Sequence, residues 1–130
     1  MLRTLILTTL LAAPLPAIAG DGPPGVGFAQ AEEGTWWCHG SSLGATLDCA
    51  RQQCLEESGG QDCVATRWCQ PAGWSVLMVT WLPEFHATHV LCGMPGQEAA
   101  AAAAKAICEA GAEFSRCDLA LFIDPDGNEI

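Results

Sequence analysis

Three cysteines recur at identical spacing in this chain, and this repetition constrains the fold more than any other feature of the sequence. A shift of 54 residues carries each of them onto another cysteine and carries one Pro-x-Gly turn onto a second. Matched spacings of this kind rarely arise by chance, so we predict an internal duplication with repeats at residues 35–82 and 88–130. The related pairs are Cys38 and Cys92, Cys54 and Cys108, Cys63 and Cys117, Pro71 and Pro125, and Gly73 and Gly127.

Residues 1–19 have the pattern of a secretory signal peptide. Arg3 supplies the positive start, an apolar run follows, and Ala17 and Ala19 form a small-x-small cleavage site. Pro14 interrupts the run, which falls short of the roughly 20 apolar residues that a membrane span needs. We therefore expect an exported protein, periplasmic or extracellular, without membrane contact after the signal is removed.

The acidic composition excludes one class of partner. The chain has 15 acidic and 5 basic residues and a formal net charge of −10. Nucleic acid is excluded because neutralising phosphates requires a basic patch, which this sequence lacks. The carboxylates are scattered, which favours a solvated acidic surface. The alternative is that the acidic surface recruits a basic partner or a divalent cation.

Hydrophobic periodicity predicts one α+β domain in residues 35–130. Residues 20–34 are rich in glycine and proline without periodicity, so we predict a flexible arm there. Helices are predicted after Ser42 and around the six consecutive alanines at residues 99–104, and strands are predicted on either side of each helix. The apolar run at residues 74–82 should be the most buried strand. Together these elements predict a duplicated strand-helix-strand unit, with both helices on one face of a mostly antiparallel, disulfide-stabilised sheet.

Eight cysteines in an oxidising compartment predict four disulfides. In each half, one cysteine ends the helix and another opens the next strand nine residues later. We therefore predict the pairs Cys54–Cys63 and Cys108–Cys117. The even count leaves no thiol for catalysis, and the absence of a Cys-x-x-Cys motif argues against a zinc site.

The remaining four cysteines allow three pairings, and two arguments about them disagree. Cys49 and Cys69 lack counterparts in the second half, which favours Cys49–Cys69 together with Cys38–Cys92. Against this, a pseudo-twofold arrangement would place Cys38 and Cys92 too far apart to bond. We favour the first pairing slightly.

Glu84, His86 and His89 form a local cluster of acidic and basic side chains. On an extended segment His86 and His89 point to opposite faces, so they cannot both bind one metal. We expect solvated loop histidines. The alternatives are a small enzyme that uses Glu84 and His86, or a protease inhibitor that presents the loop at residues 82–86. No cofactor is implied, since the sequence has no phosphate-binding glycine loop or zinc-binding helix motif.

Strict alternation along the strands predicts an aromatic face without a helix. If Cys63 faces its helix, Trp68 faces the other way, and Phe122 occupies the matching position in the second half. With Trp37 added, this face is too apolar to remain solvated. We expect the predicted arm or a second subunit of a homodimer to cover it. The alternative is a binding face for a peptide, glycan or partner protein.

Two alanine-rich helices that end in cysteine, each followed by a glycine-containing turn and a strand that begins with cysteine, resemble a family of small exported bacterial domains of unknown function. The resemblance extends over residues 35–123. No catalytic residues are assigned to that family. We therefore expect a non-catalytic periplasmic or secreted module with a binding or structural role.

Overall fold

Two helices and six strands make up the part of the chain that the computed structural model describes, residues 22–130. The predicted signal peptide at residues 1–19 lies outside the described residues. Within this range no helix is both long enough and apolar enough to cross a membrane. The class is α+β, as predicted. The elements are β1 (Gly25–Ala31), β2 (Gly34–Gly40), α1 (Leu43–Glu57), β3 (Val64–Cys69), β4 (Trp74–Trp81), β5 (His86–Met94), α2 (Gln97–Ala110) and β6 (Arg116–Ile123).

The strands form two antiparallel sheets of three strands each, and the prediction of a single sheet is wrong. The strand order is β2-β1-β3 in the first sheet and β5-β4-β6 in the second. The predicted first repeat, residues 35–82, contains β4, but β4 is the central strand of the second sheet. Each sheet is built from two strands, a helix and a third strand in chain order. The duplication itself stays a prediction from the cysteine spacing.

The inner faces of the two sheets pack against each other. Val26 and Phe28 of β1 meet Leu77 of β4, Val90 of β5 and Ile123 of β6 in one buried cluster. This cluster joins all three strands of the second sheet to the centre of the first. Burying apolar side chains between two sheets is the main source of stability in such a sandwich.

Each sheet carries its own helix on its outer face. Ala29 of β1 packs against Ala50 of α1, and Val76 and Met78 of β4 pack against Ala104 of α2. The two helices therefore lie on opposite outer faces and do not share one, which corrects the prediction. Alternation of side chains explains this arrangement. On each central strand, one set of alternate apolar side chains faces the inner core and the other set faces the helix.

Strand β1 lies within residues 20–34, where the prediction of a flexible arm is wrong. It pairs with β2 on one side and with β3 on the other, and Val26 and Phe28 are at most 1% exposed. Glycine is favoured here, because a Cβ atom at Gly25 would lie 2.8 Å from the backbone oxygen of Cys69 and would also overlap the ring of Trp68. A glycine-rich segment can thus be a central strand where neighbours approach closely.

All eight cysteines are paired. Cys54–Cys63 and Cys108–Cys117 are confirmed, with Cα atoms 6.0 and 5.6 Å apart. Each of these bonds fixes the end of a helix to the start of the following strand. The helices are therefore held covalently to their sheets.

The other two bonds are Cys38–Cys49 and Cys69–Cys92, so the favoured pairing is wrong. Cys38 lies on the outer face of β2, where α1 brings Cys49 to a Cα distance of 6.0 Å. Cys69 lies on the inner side of β3 and bonds to Cys92 of β5. The first bond stays within one half, whereas the second joins the two sheets.

Candidate functional site

The three residues of the predicted aromatic face lie in different places. Phe122 packs against α2, with its ring centroid 5.6 Å from that of Trp74. Trp37 packs against the core between the sheets, and its Nε1 donates a hydrogen bond of 3.3 Å to the Gly127 carbonyl. The structure therefore does not bring the predicted face together.

Two β-bulges account for this error. In β3 the register with β1 shifts at Thr66, and in β6 the register with β4 shifts at Ala120. Each extra residue reverses the alternation for the side chains that follow it. Trp68 consequently pairs with Gly27 on the α1 side of its sheet, and Phe122 turns toward α2.

Glu84 and His86 do not form a hydrogen bond in the part of the chain that is described. Glu84 is exposed in the turn between β4 and β5. His86 and His89 lie on opposite faces of β5, as predicted, since His86 pairs with Trp81 and His89 pairs with Met78. His89 is already engaged, because its Nε2 lies 2.9 Å from the Thr80 hydroxyl.

The loop at residues 82–86 is a tight turn. The Leu82 amide donates a hydrogen bond of 2.8 Å to the Phe85 carbonyl, which closes the loop on itself. Phe85 is exposed at its end.

A cleft of about 250 Å³ opens at one end of the sandwich, where the two sheets separate. One wall is the hairpin between β1 and β2, and the other is the inner face of the second sheet. We call it the Trp81 cleft. Apolar side chains form most of its floor, and polar groups lie at its mouth. Its lining includes Glu32, Glu33, Leu77, Val79, Trp81, His86 and Thr88.

Trp81 is fixed in this cleft by residues on both neighbouring strands. His86 lies on one side with ring centroids 4.9 Å apart, and the Arg116 guanidinium lies 4.4 Å from the indole centroid. The indole Nε1 donates a hydrogen bond of 3.0 Å to Asp118. A side chain that is already ordered loses little conformational entropy when a ligand binds to it.

The charges around the cleft are distributed unevenly. Arg116 donates from Nε to the same Asp118 carboxylate at 2.6 Å, so these two charges offset each other. Glu32 and Glu33 are exposed on the hairpin opposite and make no ion pair with any residue in the range 22–130. The mouth of the Trp81 cleft is therefore negatively charged.

A second cleft, of about 310 Å³, lies between β3 and β5 and adjoins the first. Four consecutive residues of β5, from Thr88 to Leu91, line it together with Thr66 and Arg67 of β3. Because successive side chains point to opposite faces, consecutive residues can line one cleft only along the edge of the strand. Thr88 lines both clefts, so the two form a continuous groove along β5.

A third, more open cleft of about 360 Å³ lies where the C-terminal turn meets β2. Burial lowers the pKa of His39 in this region, and the nearby carboxylates of Asp124 and Asp126 oppose that shift. The buried Nε2 atom of His39 has no hydrogen-bond partner among the described residues. Residues 22–130 contain no group of three or more histidine, cysteine, aspartate or glutamate side chains arranged to hold a metal ion.

No family model, curated protein or solved structure matches the chain.

The sequence singled out His86 of the Trp81 cleft but not Trp81 itself, and the reason is identifiable. The run at residues 74–82 predicts a strand buried on both faces, which hides the role of Trp81 at its open end. The alternation of Arg116 and Asp118 with Cys117 was a usable signal, because it places two polar side chains on one face of β6.

Proposed function

We propose that the chain is a non-catalytic, exported binding module whose ligand occupies the Trp81 cleft. The four disulfides support export, since such bonds form and persist in oxidising compartments. The observation that carries the binding role is Trp81 itself. Its ring is held between His86 and Arg116 and it lines an open cleft.

The polar groups near Trp81 favour binding over catalysis. Asp118 already accepts hydrogen bonds from Trp81 and Arg116, and the His86 ring packs against the indole at a tilt of 39°. No thiol is available, because all eight cysteines are bonded. What the cleft offers a ligand is an apolar floor, an ordered aromatic ring and a few polar groups, which is the usual composition of a binding site.

The test is an NMR screen of the 15N-labelled protein, purified with its disulfides intact, against a library of small molecules and short peptides. The five tryptophans give five indole signals, which report on the two helix-bearing faces, the inner core and the cleft separately. We expect bound compounds to shift the Trp81 indole signal and the amides of His86 and Thr88. Binding should weaken about tenfold or more in Trp81→Ala, because the ring is the largest of the apolar side chains that line the cleft.

Trp36→Phe is the matched control, since Trp36 lies on the α1 side and its Nε1 donates to Glu57. Binding should be unchanged in this variant. Trp81→Phe keeps an aromatic ring and provides a second test if the alanine variant does not fold. Compounds that shift only signals outside the cleft, or that bind equally well to folded Trp81 variants, would overturn the proposal.

A further inference from the structure

We infer that the ligand of the Trp81 cleft is an extended peptide with a basic end, which adds a strand to the outer edge of β5. This inference rests on the proposed function and specifies its ligand class. It uses three observations that are independent of one another: the free edge of β5, the continuous groove along it, and the charge at one end of that groove.

The first observation is the edge of β5. In the described sheet, β5 pairs with β4 on one side only. On its other side the Gly93 amide donates a hydrogen bond to the Ala72 carbonyl, so the backbone groups without a strand partner lie before Gly93. An edge strand of this kind can pair with an added peptide strand through main-chain hydrogen bonds. Four consecutive residues, Thr88–Leu91, line the cleft along this edge.

The second observation is the length of the groove. It runs from His86, beside Trp81, to Leu91, beside Ile107 of α2. Five residue steps on a strand cover about 17 Å, which matches a peptide of about six residues better than a compact small molecule. Alternate side chains of such a peptide would point into the sandwich, and one of them would reach the apolar floor beside Trp81.

The third observation is the charge along the groove. Glu32 and Glu33 lie at the Trp81 end, whereas Arg67 lies in the adjoining cleft at the other end. A basic group on the peptide is therefore complementary to the Trp81 end alone. The unequal charge at the two ends of the groove therefore favours a peptide with one basic end over an acidic peptide or a uniformly charged one.

The probes are two blocked peptides, Lys-Lys-Leu-Thr-Leu-Thr and its reverse Thr-Leu-Thr-Leu-Lys-Lys, which allow for either strand direction. We expect at least one of them to shift the Trp81 indole and the β5 amides. Replacing both lysines by glutamate, or both leucines by serine, should weaken binding about tenfold or more. N-methylation of alternate residues removes the amide donors along one edge of the peptide strand. Of the two peptides methylated on alternate sets of residues, the one that keeps its donors toward β5 should bind, and the other should not.

Charge reversal in the protein tests the position of the basic end. The double variant Glu32→Lys/Glu33→Lys should lose the lysine peptide and prefer the glutamate peptide. Glu56→Lys/Glu113→Lys changes the net charge equally at exposed positions outside the groove, and it should keep the preference of the unmodified protein. Isothermal titration calorimetry measures the affinity of each double variant for the lysine and the glutamate peptides.

The outcomes separate this inference from the proposed function. If other compounds shift the Trp81 signal while neither lysine peptide does, the peptide inference fails and the binding cleft stands. If nothing binds in the cleft, both fail. A Trp81 signal that depends on protein concentration without ligand would show a second copy of the chain in the groove, which also overturns the peptide inference.

Discussion

Thr66 and Ala120 occupy corresponding places in the two halves of the protein. Each is the unpaired residue of a β-bulge in the third strand of its sheet, and 54 residues separate them, the same interval as in the three related cysteine pairs. The bulge decides which way the following side chains face. In β3 it turns Cys69 toward the second sheet, and in β6 it turns Phe122 toward α2.

Deleting Thr66 should therefore change the disulfide pattern. Without the extra residue, Cys69 would face α1 and could no longer reach Cys92, so two free thiols should appear. Thiol titration and a mass-spectrometric disulfide map measure this. Thr66→Ala keeps the residue count and should retain all four bonds. A native Cys69–Cys92 bond in the deletion variant would contradict this account of the bulge.

The disulfides should differ in their contributions to stability. The loop-entropy relation gives about 2.6 kcal/mol for the Cys54–Cys63 loop of 9 residues and about 3.4 kcal/mol for the Cys69–Cys92 loop of 23 residues. Replacing both cysteines of each pair by alanine and measuring urea unfolding tests the order. Equal losses in the free energy of unfolding would show that loop length does not determine how much each disulfide contributes.

Gly73 should tolerate alanine much less well than Gly59. Both have positive φ angles, +54° and +72°, which costs an alanine about 1 kcal/mol. Only at Gly73 would the added Cβ also lie 2.6 Å from the backbone carbon of Gly93. We expect a loss of about 3 kcal/mol or more for Gly73→Ala and about 1 kcal/mol for Gly59→Ala in chemical unfolding. Similar losses would mean that the neighbouring backbone moves aside.

The protein should lose stability as the pH falls below the ordinary pKa of histidine, 6.5. Burial lowers the pKa of His39 in the folded state, so the unfolded chain binds a proton at His39 more readily. The free energy of unfolding therefore decreases as the pH falls. Asp124 affects stability only at a lower pH, because hydrogen bonds from Asn128 lower its pKa below 3.8. Melting temperatures between pH 5 and pH 8 should therefore vary less in His39→Gln than in the unmodified protein.

Trp37→Phe provides the control for this pH dependence. It removes the hydrogen bond to the Gly127 carbonyl, which helps to hold the C-terminal turn against β2, without removing a titrating group. Its melting temperature should be lower by a similar amount at every pH. A His39→Gln variant with the same pH dependence as the unmodified protein would show that His39 does not link stability to pH.

Local patterns in the sequence predicted what depends on local structure. Both helices, the buried strand β4 and the bonds Cys54–Cys63 and Cys108–Cys117 follow from periodicity and from the short turns between helix and strand. These features are set by residues within about ten positions of one another, so their spacing carries enough information to identify them.

The remaining features depend on contacts between distant parts of the chain. The role of β1 depends on its pairing with β2 and β3, which composition does not reveal, and so its glycines suggested an arm. The bulges at Thr66 and Ala120 leave no pattern in the sequence, so strict alternation placed Trp68 and Phe122 on the wrong faces. The Trp81 cleft was missed for the same reason, because one of its walls is the hairpin of the supposed arm.

The most direct test of the binding role is a set of intermolecular NOEs between the protein and the tightest ligand found in the screen. We predict contacts from apolar ligand protons to the Trp81 indole and to the Thr88 methyl group, which lie on the inner face of the second sheet. Contacts confined to the indoles of Trp37 or Trp68, with none to Trp81, would contradict the account.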